Sequence, residues 1–486
     1  MSSSVFARLV AKTKIAPARN SIVSLAFLFT VSFATVSLGQ LSPRDPGVRG
    51  GTVDAGQPFD LSKTAGASSF FADGLARFAA VDVVSGQPNN TGLGPRFNSN
   101  QCASCHAQPA VGGTSPSTSA FPNLGPNPET LVYNLAGQTG QNTLPSFVTP
   151  EGPVREARFK FFLNPDGSLG NTPDGGVHDL FVISGRGDAG TCSIRQPDFA
   201  HNLALNNIIF RIPTPAFGAG LIENISDETI MANMEQNEPA KEALGISGHP
   251  NRDGNDGAIA RFGWKAQNKS LEIFAGEAYN VEMGVTNELF QNERASPDEA
   301  QGGGLPRECR INPTPEDGTN FTASPDSAVP SDVVQFAMFM RLLAPPAAST
   351  TNPGGATSIT NGSQVFNAIG CANCHTPTLR TSPSAFVPGL GPGVANLFSD
   401  LLVHHMGTNL ADGVSQGGAG PDEFRSAPLW GLGQRIFFLH DGRTSDLLDA
   451  IREHASPGSE ANAVISNFKQ LTPQQKQDLL NFLRSL

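Results

Sequence analysis

Two copies of one five-residue pattern constrain this chain more than any other feature. Cys102-Ala103-Ser104-Cys105-His106 and Cys371-Ala372-Asn373-Cys374-His375 both read Cys-x-x-Cys-His, the attachment signature of a c-type haem. Two thiols add across the two vinyl groups of one porphyrin, and the imidazole that follows is swung beneath the iron as proximal ligand. A zinc site made from the same four thiols leaves both histidines without a role. A redox dithiol belongs in a thioredoxin-like βαβ context that neither motif has. The pattern therefore predicts two covalently bound haems, held by Cys102, Cys105, His106, Cys371, Cys374 and His375. His106 and His375 are the expected proximal iron ligands.

Haem attachment to thiols takes place outside the cytoplasm, and the start of the chain agrees with export. Arg8, Lys12, Lys14 and Arg19 precede an apolar stretch from Ile22 to Leu38, and Ser37-Leu38-Gly39 offers small residues before Gln40. Residues 1–39 thus read as a signal peptide, with an uncleaved membrane anchor as the alternative, and the expected location is periplasmic. They carry four positive charges and no negative one, so without them the net charge of −11 falls to −15. An acidic chain of this kind argues against nucleic-acid binding, which needs a basic surface. No apolar run after residue 39 is long enough to cross a bilayer. The two remaining cysteines, Cys192 and Cys309, are expected to form a disulfide in an oxidising compartment; two unrelated thiols are the alternative. Closing so long a loop contributes roughly 4–5 kcal/mol in the chain-entropy account.

The fold class expected is mainly α and cytochrome c-like, with two haem domains, long loop insertions and minor β structure. With 52 Gly and 38 Pro in 486 residues, the chain is rich in turns. Residues 40–68 read as an extended arm, and Phe71, Leu75, Phe78 and Ala79 predict a helix over 70–81 that ends near Asp82. Residues 107–130 and 139–156 read as long loops, and Ile208-Ile209-Phe210-Arg211-Ile212 as a short strand. An amphipathic helix over 330–344 stops at Ala344-Pro345-Pro346, and the polar linker Ser349 to Gly355 marks a boundary. This divides the chain into an N-terminal haem domain, 40–348, and a C-terminal cytochrome c domain, 358–486. In the latter, Ser363-Gln364-Val365-Phe366 opens a short helix leading to the second motif. Thr472 and Pro473 start a terminal helix whose Leu479, Leu480, Phe482, Leu483 and Leu486 share one face. A further helix starts near Thr444-Ser445, with Leu447, Leu448, Ile451 and His454 on one face.

Several longer segments carry a resemblance to a known family. Gly92-Leu93-Gly94-Pro95-Arg96-Phe97-Asn98, Arg261-Phe262-Gly263-Trp264-Lys265-Ala266, Asp400-Leu401-Leu402-Val403-His404, Ala427-Pro428-Leu429-Trp430-Gly431 and Phe438-Leu439-His440-Asp441-Gly442-Arg443 resemble the di-haem oxidoreductases. That family is similar to the bacterial di-haem cytochrome c peroxidases and to the di-haem enzyme that matures methylamine dehydrogenase. The likeness runs over most of residues 70–486. Two departures stand out: the family's His-Asp-Met-Gly reads His404-His405-Met406-Gly407, and its His-Gly-Gly-Glu-Ala reads His454-Ala455-Ser456-Pro457-Gly458.

The resemblance implies an exported, peroxidase-like oxidoreductase in which electrons pass from the C-terminal haem to the N-terminal one. The peroxidases carry a Glu-Met-Gly segment that serves the peroxide-binding haem, and here the comparable stretch is Asn280-Val281-Glu282-Met283-Gly284. Glu282 is thereby implied as the group that moves a proton during O–O cleavage, against the plain reading of a solvated helix residue. Trp264, or else Trp430, is the expected electron relay between haems. In the peroxidases a Met ligand of the electron-transferring haem follows the same His-Asp-Gly segment. That relation makes His454 the expected distal ligand of the second haem, with Met406 as runner-up. His440 is expected to be structural. No histidine occurs between His106 and His178, so the first haem is expected to keep an open position unless His178, His201 or His249 reaches it through folding. Expected partners are a small redox protein as electron donor and peroxide or another small oxidant. The alternatives are a non-enzymatic di-haem electron carrier and a di-haem oxygenase. Asp253-Gly254-Asn255-Asp256-Gly257 resembles part of a calcium loop without its terminal Glu, with an ordinary turn as the other reading.

Overall fold

Apolar residues at helical spacing around both haem motifs form helices in the computed structural model, which describes residues 42–50, 54–83, 92–116, 126–136, 142–182, 191–310, 314–384, 387 and 390–486. The leader, 1–39, lies outside the described residues. The architecture is mostly helical, with short two-stranded antiparallel pairs between the helices. No helix among the described residues is long and apolar enough to cross a membrane.

Near the first motif, the helix Ala67–Phe78 buries Phe71, Gly74 and Phe78 and packs on the helix Asp332–Leu342. It begins and ends about three residues earlier than its apolar stripe suggests. The chain leaves it at Ala79, and Asp82 turns back to meet Arg77 at 3.7 Å. The β-branched run becomes the strand Ile208–Arg211, paired with Glu156–Phe159 so that Ala157 faces Phe210 and Phe159 faces Ile208. Alternation along Glu156–Phe159 buries Ala157 and Phe159 and turns Glu156 and Arg158 the other way. Pro128–Ala136, which overlaps the end of one expected loop, is a helix.

Beyond the linker, the helix Ala356–Ile369 is longer than the sequence suggests and packs against the terminal helix Pro473–Ser485. Gly362 sits where the two backbones cross, and a Cβ there would strike the Asp478 carbonyl and the Phe482 side chain. The terminal helix starts with a reciprocal capping box between Thr472 and Gln475, worth about 0.5–2 kcal/mol. Leu479, Leu480, Phe482, Leu483 and Leu486 are all buried, each contributing roughly 1.5–3 kcal/mol.

Residues Ser42–Leu486 form one compact unit containing two main apolar cores. The larger gathers the N-terminal helices, yet it also takes in Leu379, Leu397, Leu401 and Leu402 from beyond the linker. The smaller core is built from the helices Ala356–Ile369, Leu447–Glu453, Asn462–Gln470 and Pro473–Ser485. The N-terminal arm crosses to this second core. Arg484 donates to both Asp45 oxygens, at 2.7 and 2.6 Å, from a side chain only 1% exposed. Cys192 and Cys309 are joined as a disulfide, buried with Val182, Ile194 and Leu305.

Candidate functional site

Each Cys-x-x-Cys-His motif opens onto its own cavity of about 220 Å³. Cys102, Cys105 and His106 line the first, and Cys371, Cys374 and His375 line the second. The four thiols are therefore divided between two cavities, and among the described residues no group of three or more His, Cys, Asp or Glu is arranged to hold a metal ion. This removes the four-thiol zinc alternative. None of the four is in a disulfide. Burial pushes Cys102, Cys105 and Cys371 up to about 12, keeping them as neutral thiols.

The local turns aim both histidines in the same way. Cys102–Cys105 forms a single helical turn with His106 as its C-cap, and the chain then loops so that His106 Nδ1–H donates to the Gly113 carbonyl at 3.0 Å. At the second motif, Gly370 at φ 104° ends the preceding helix and turns the chain into Cys371–Asn373. His375 Nδ1–H donates to the Phe398 carbonyl at 3.0 Å. A ring whose Nδ1 carries the proton presents Nε2 as a lone-pair donor, the tautomer that a metal ligand requires. Burial favours the neutral ring in both cases, pushing His375 down to about 4 and lowering His106. With a thiol pair, a correctly tautomerised imidazole and apolar walls in each cavity, the residues fit a haem in both places.

The two cavities differ in what else they contain. His454 lines the second, at the end of the helix Leu447–Glu453, whose N-cap is Asp446 rather than Thr444 or Ser445. Its Nδ1–H donates to the Ala450 carbonyl at 2.7 Å, repeating the arrangement of His106 and His375. Nearness to His454 adds to burial in depressing His375. Met406 lines the same cavity. His440 also faces it, stacked on Phe424 with ring centres 4.2 Å apart and held near pKa 4 by burial.

In the first cavity His106 is the sole histidine among the lining residues. His178 is buried elsewhere, bonded to Asp174 at 2.8 Å and stacked on Phe159. His201 pairs with the Gly167 carbonyl and His249 with Glu423. The first cavity instead receives carboxylates, among them Glu129, Glu156 and Glu282. Glu282 lies near the end of the helix Leu271–Met283, capped by Gly284 at φ 73°. Burial, and then the negative charge of Glu156, push Glu282 up to about 8, with the Asn98 bond and Arg294 pulling the other way. Burial also works to raise Glu156, but Arg158 and Arg211 outweigh it and hold that carboxyl below its ordinary value. At neutral pH Glu282 is thus mainly the acid, beside an ionised neighbour.

The segment Gly92–Asn98 proves to be the mount for Glu282. Asn98 Nδ2 donates to its Oε2 at 2.9 Å, and the amides of Asn98 and Ser99 donate to its carbonyl at 2.7 and 3.0 Å. Gly94 N–H donates to the Met283 carbonyl at 2.9 Å. Gly94 and Gly284 pass so closely that a Cβ on either would enter the other's backbone.

Trp264 lines both cavities, with Nε1–H donating to the Ile212 carbonyl at 2.9 Å and its ring edge-on to His440 at 6.4 Å. Trp430 lines the first alone. Arg425, Ala427 and Arg435 share Trp264's position on both walls.

Sequence reasoning assigned no role to His404. It is buried in the second cavity's wall, bonded to Glu460 at 2.8 Å and Asp400 at 3.0 Å, with Cys374 Sγ at 3.6 Å. Burial opposes its protonation, yet the Cys374 and Asp400 charges raise it well above the ordinary histidine value. The segments that depart from the family's pattern pack on each other. Thr408 N–H donates to the Pro457 carbonyl and Asn409 N–H to Ser456 Oγ, both at 3.1 Å. In the Asp253–Gly257 turn the carboxylates accept from backbone amides, and Lys269 Nζ lies 2.6 Å from Asp256 and 3.8 Å from Asp253. That lysine supplies the positive charge a calcium ion would bring.

Residues 171–486 match the family described as "Di-haem oxidoreductase, putative peroxidase". The match starts after the first haem motif and includes the second. No curated protein matches the chain. Two solved structures are similar to parts of it. One is the hydrazine synthase of Kuenenia stuttgartiensis, 19% identical over 35% of this chain and 67% of that one, with a TM-score of 0.22. The other is a MauG-like protein associated with microbial copper homeostasis, 15% identical over 54% of this chain and 89% of that one, with a TM-score of 0.26. Since the family match spans about two thirds of the sequence, and the chain offers one cavity for each of two haems, the protein belongs to the di-haem oxidoreductase family.

Proposed function

We propose that this is an exported, two-haem c-type cytochrome of cytochrome c-like fold that reduces peroxide at its first haem site with electrons received through its second. The observation that carries the reading is the asymmetry of the cavities: the second offers His454 besides the histidine of its motif, while the first offers a half-buried carboxylic acid and no second histidine. Two strong axial ligands make an electron-transfer centre, whereas an open position permits chemistry.

In this reading Cys102 and Cys105 would hold one porphyrin through thioether bonds and Cys371 and Cys374 the other, and each haem would supply an iron able to change oxidation state one electron at a time. His106 and His375 would hold the irons through Nε2, and their Nδ1–H bonds to Gly113 and Phe398 fix each ring's orientation. Glu282, holding its proton, would give it to the departing peroxide oxygen from one carboxyl oxygen while the other takes the proton of the retained oxygen, so that the O–O bond breaks with loss of one water. The retained oxygen would leave as a second water after uptake of two electrons through the second site and two protons from solvent. Asn98 keeps its carboxyl aimed, and Glu156 with burial keeps its proton affinity near neutrality. Trp264 sits on the wall common to both cavities as the electron relay, and a small redox protein delivers electrons to the second site. The attachment chemistry and the basic, then apolar, first 39 residues support export.

The test is an EPR spectrum of the oxidised holoprotein, followed by addition of peroxide. One high-spin and one low-spin iron, with the high-spin signal lost on peroxide addition, supports the reading. Two low-spin irons that ignore peroxide overturn it in favour of an electron carrier. His454→Ala is expected to convert the low-spin signal to high-spin and leave the first iron unchanged. Persistence of the low-spin signal transfers the assignment to Met406. Trp264→Phe is expected to slow electron transfer between haems in stopped-flow traces without altering peroxide binding, while Trp430→Phe leaves the rate unchanged. The Trp264 change also strands the Ile212 carbonyl, a stability loss of about 1 kcal/mol. Equal rates in both variants would remove Trp264 from the path.

A further inference from the structure

The wall between the cavities holds a pair of buried arginines that no carboxylate among the described residues bonds directly. Arg425 is 9% exposed and Arg435 is 8% exposed, and both line both cavities. Arg425 ends the strand Glu423–Arg425, where its Nε–H donates to the Gly263 carbonyl at 3.1 Å and its Nη1–H to the Ser426 carbonyl at 3.2 Å. Arg435 caps the short turn Leu432–Gln434. Its one side-chain bond is a long 3.4 Å contact to the Pro428 carbonyl, and its Nε is buried without a hydrogen-bond partner. Neither guanidinium bonds a carboxylate among the described residues. The other arginines in the first cavity's wall each have one: Arg158 pairs with Glu156, Arg211 with Asp412 and Arg261 with Asp227.

The charge of Arg435 also reaches Arg425. Burial and then the charge of Arg435 lower Arg425 to about 10, and burial alone takes Arg435 to about 10. Asp400 is the one acid whose charge reaches Arg425, and its oxygens already receive bonds from His404 and Ser426. Placing two like charges in a dry wall is costly unless anions join them, because each uncompensated buried charge forfeits its hydration. The missing partners must be anionic, planar enough for a guanidinium fork, and delivered from the cavities on either side.

We propose that Arg425 and Arg435 form a shared anion site that receives one propionate carboxylate from each haem, tying the two cofactors to a single wall. The inference rests on the reading of both cavities as haem sites. The pair positions the haems and raises their affinity for electrons, since ferric haem carries one more positive charge than ferrous haem and is disfavoured beside a guanidinium. Trp264 lies on the same wall, so this anchoring also fixes each porphyrin relative to the relay.

The test is spectroelectrochemical titration of Arg435→Gln and Arg425→Gln holoproteins, with the exposed Arg380→Gln as control. Each wall variant is expected to shift the reduction equilibrium of both haems about tenfold toward the ferric state, which is about 59 mV for a one-electron couple. Arg435→Lys restores the charge and should recover most of that shift, as loss of packing alone would not. The control keeps wild-type potentials. Wall variants that hold two haems at unchanged potentials overturn the proposal and leave the functional reading standing. Wild-type protein lacking two haems overturns that reading itself. Should the glutamine variants fail to fold, resonance Raman of the wild-type holoprotein decides the matter. Propionate bending modes at the position of strongly hydrogen-bonded carboxylates support the site, and modes of water-solvated propionates overturn it.

Discussion

Replacing Cys371 and Cys374 with alanine is expected to leave a protein with half its haem and no electron-donor-dependent peroxide turnover. The two motifs open into separate cavities with separate thiols, so attachment at the first does not require the second. A haem stain after denaturation should fall from two equivalents per chain to one, since only a covalent thioether survives unfolding. His375 remains in the variant, but an imidazole without the thioethers does not hold haem through denaturation. The second core also reaches the cavity wall through Phe366, Val464 and Leu483. Its loss of haem should therefore lower the melting temperature as well. A wild-type protein that stains for one haem, or none, would refute the two-haem reading at its root.

Glu282→Gln should lower peroxide turnover by about 10²–10⁴-fold, the usual contribution of a positioned acid–base group. The amide keeps the shape and the Asn98 contact but cannot shuttle a proton, so both haem spectra should stay as in the wild type. Stability separates this outcome from simple damage. Burial and Glu156 raise Glu282 to about 8, against an ordinary value of 4.5. Between those two values the folded state holds the proton more tightly than the unfolded one. The group's contribution is therefore fully present below pH 4.5 and lost as pH rises through 8. The slope across that window is at most about 1.4 kcal/mol per pH unit. Glutamine never ionises, so the variant should match or exceed the wild type in melting temperature at pH 8 and show a shallower decline from pH 5 to 8. Unchanged turnover would remove Glu282 from the chemistry. Loss of haem and stability together would mark it as structural.

How legible each feature was depended on how far apart in the chain its parts lie. The turns at the two Cys-x-x-Cys-His motifs and the cap at Thr472 were readable because each is complete within a few residues, where a helical turn fixes the geometry. The same holds for the strand at Ile208 and the apolar face of the terminal helix. Helix ends were less legible, because Asp82 and Asp446 answer to contacts that periodicity does not encode. The likeness in Gly92–Asn98 was visible, but its purpose was not. Asn98 meets Glu282 across 184 residues, and the two glycines that let the segments touch, Gly94 and Gly284, are still further apart in sequence.

The sequence by itself determined where the two Cys-x-x-Cys-His motifs stand, and that His454 stands on the same helical face as the leucines before it. Only the tertiary structure decided which cavity each remaining group enters. It sent His178, His201 and His249 to partners elsewhere, clamped His404 between Asp400 and Glu460, and put Trp264, Arg425 and Arg435 on the wall between the sites. The physical reason is that covalent attachment needs only neighbours along the chain. A buried charge, a raised carboxyl pKa or a shared wall is instead set by which distant segments exclude water from the same small volume.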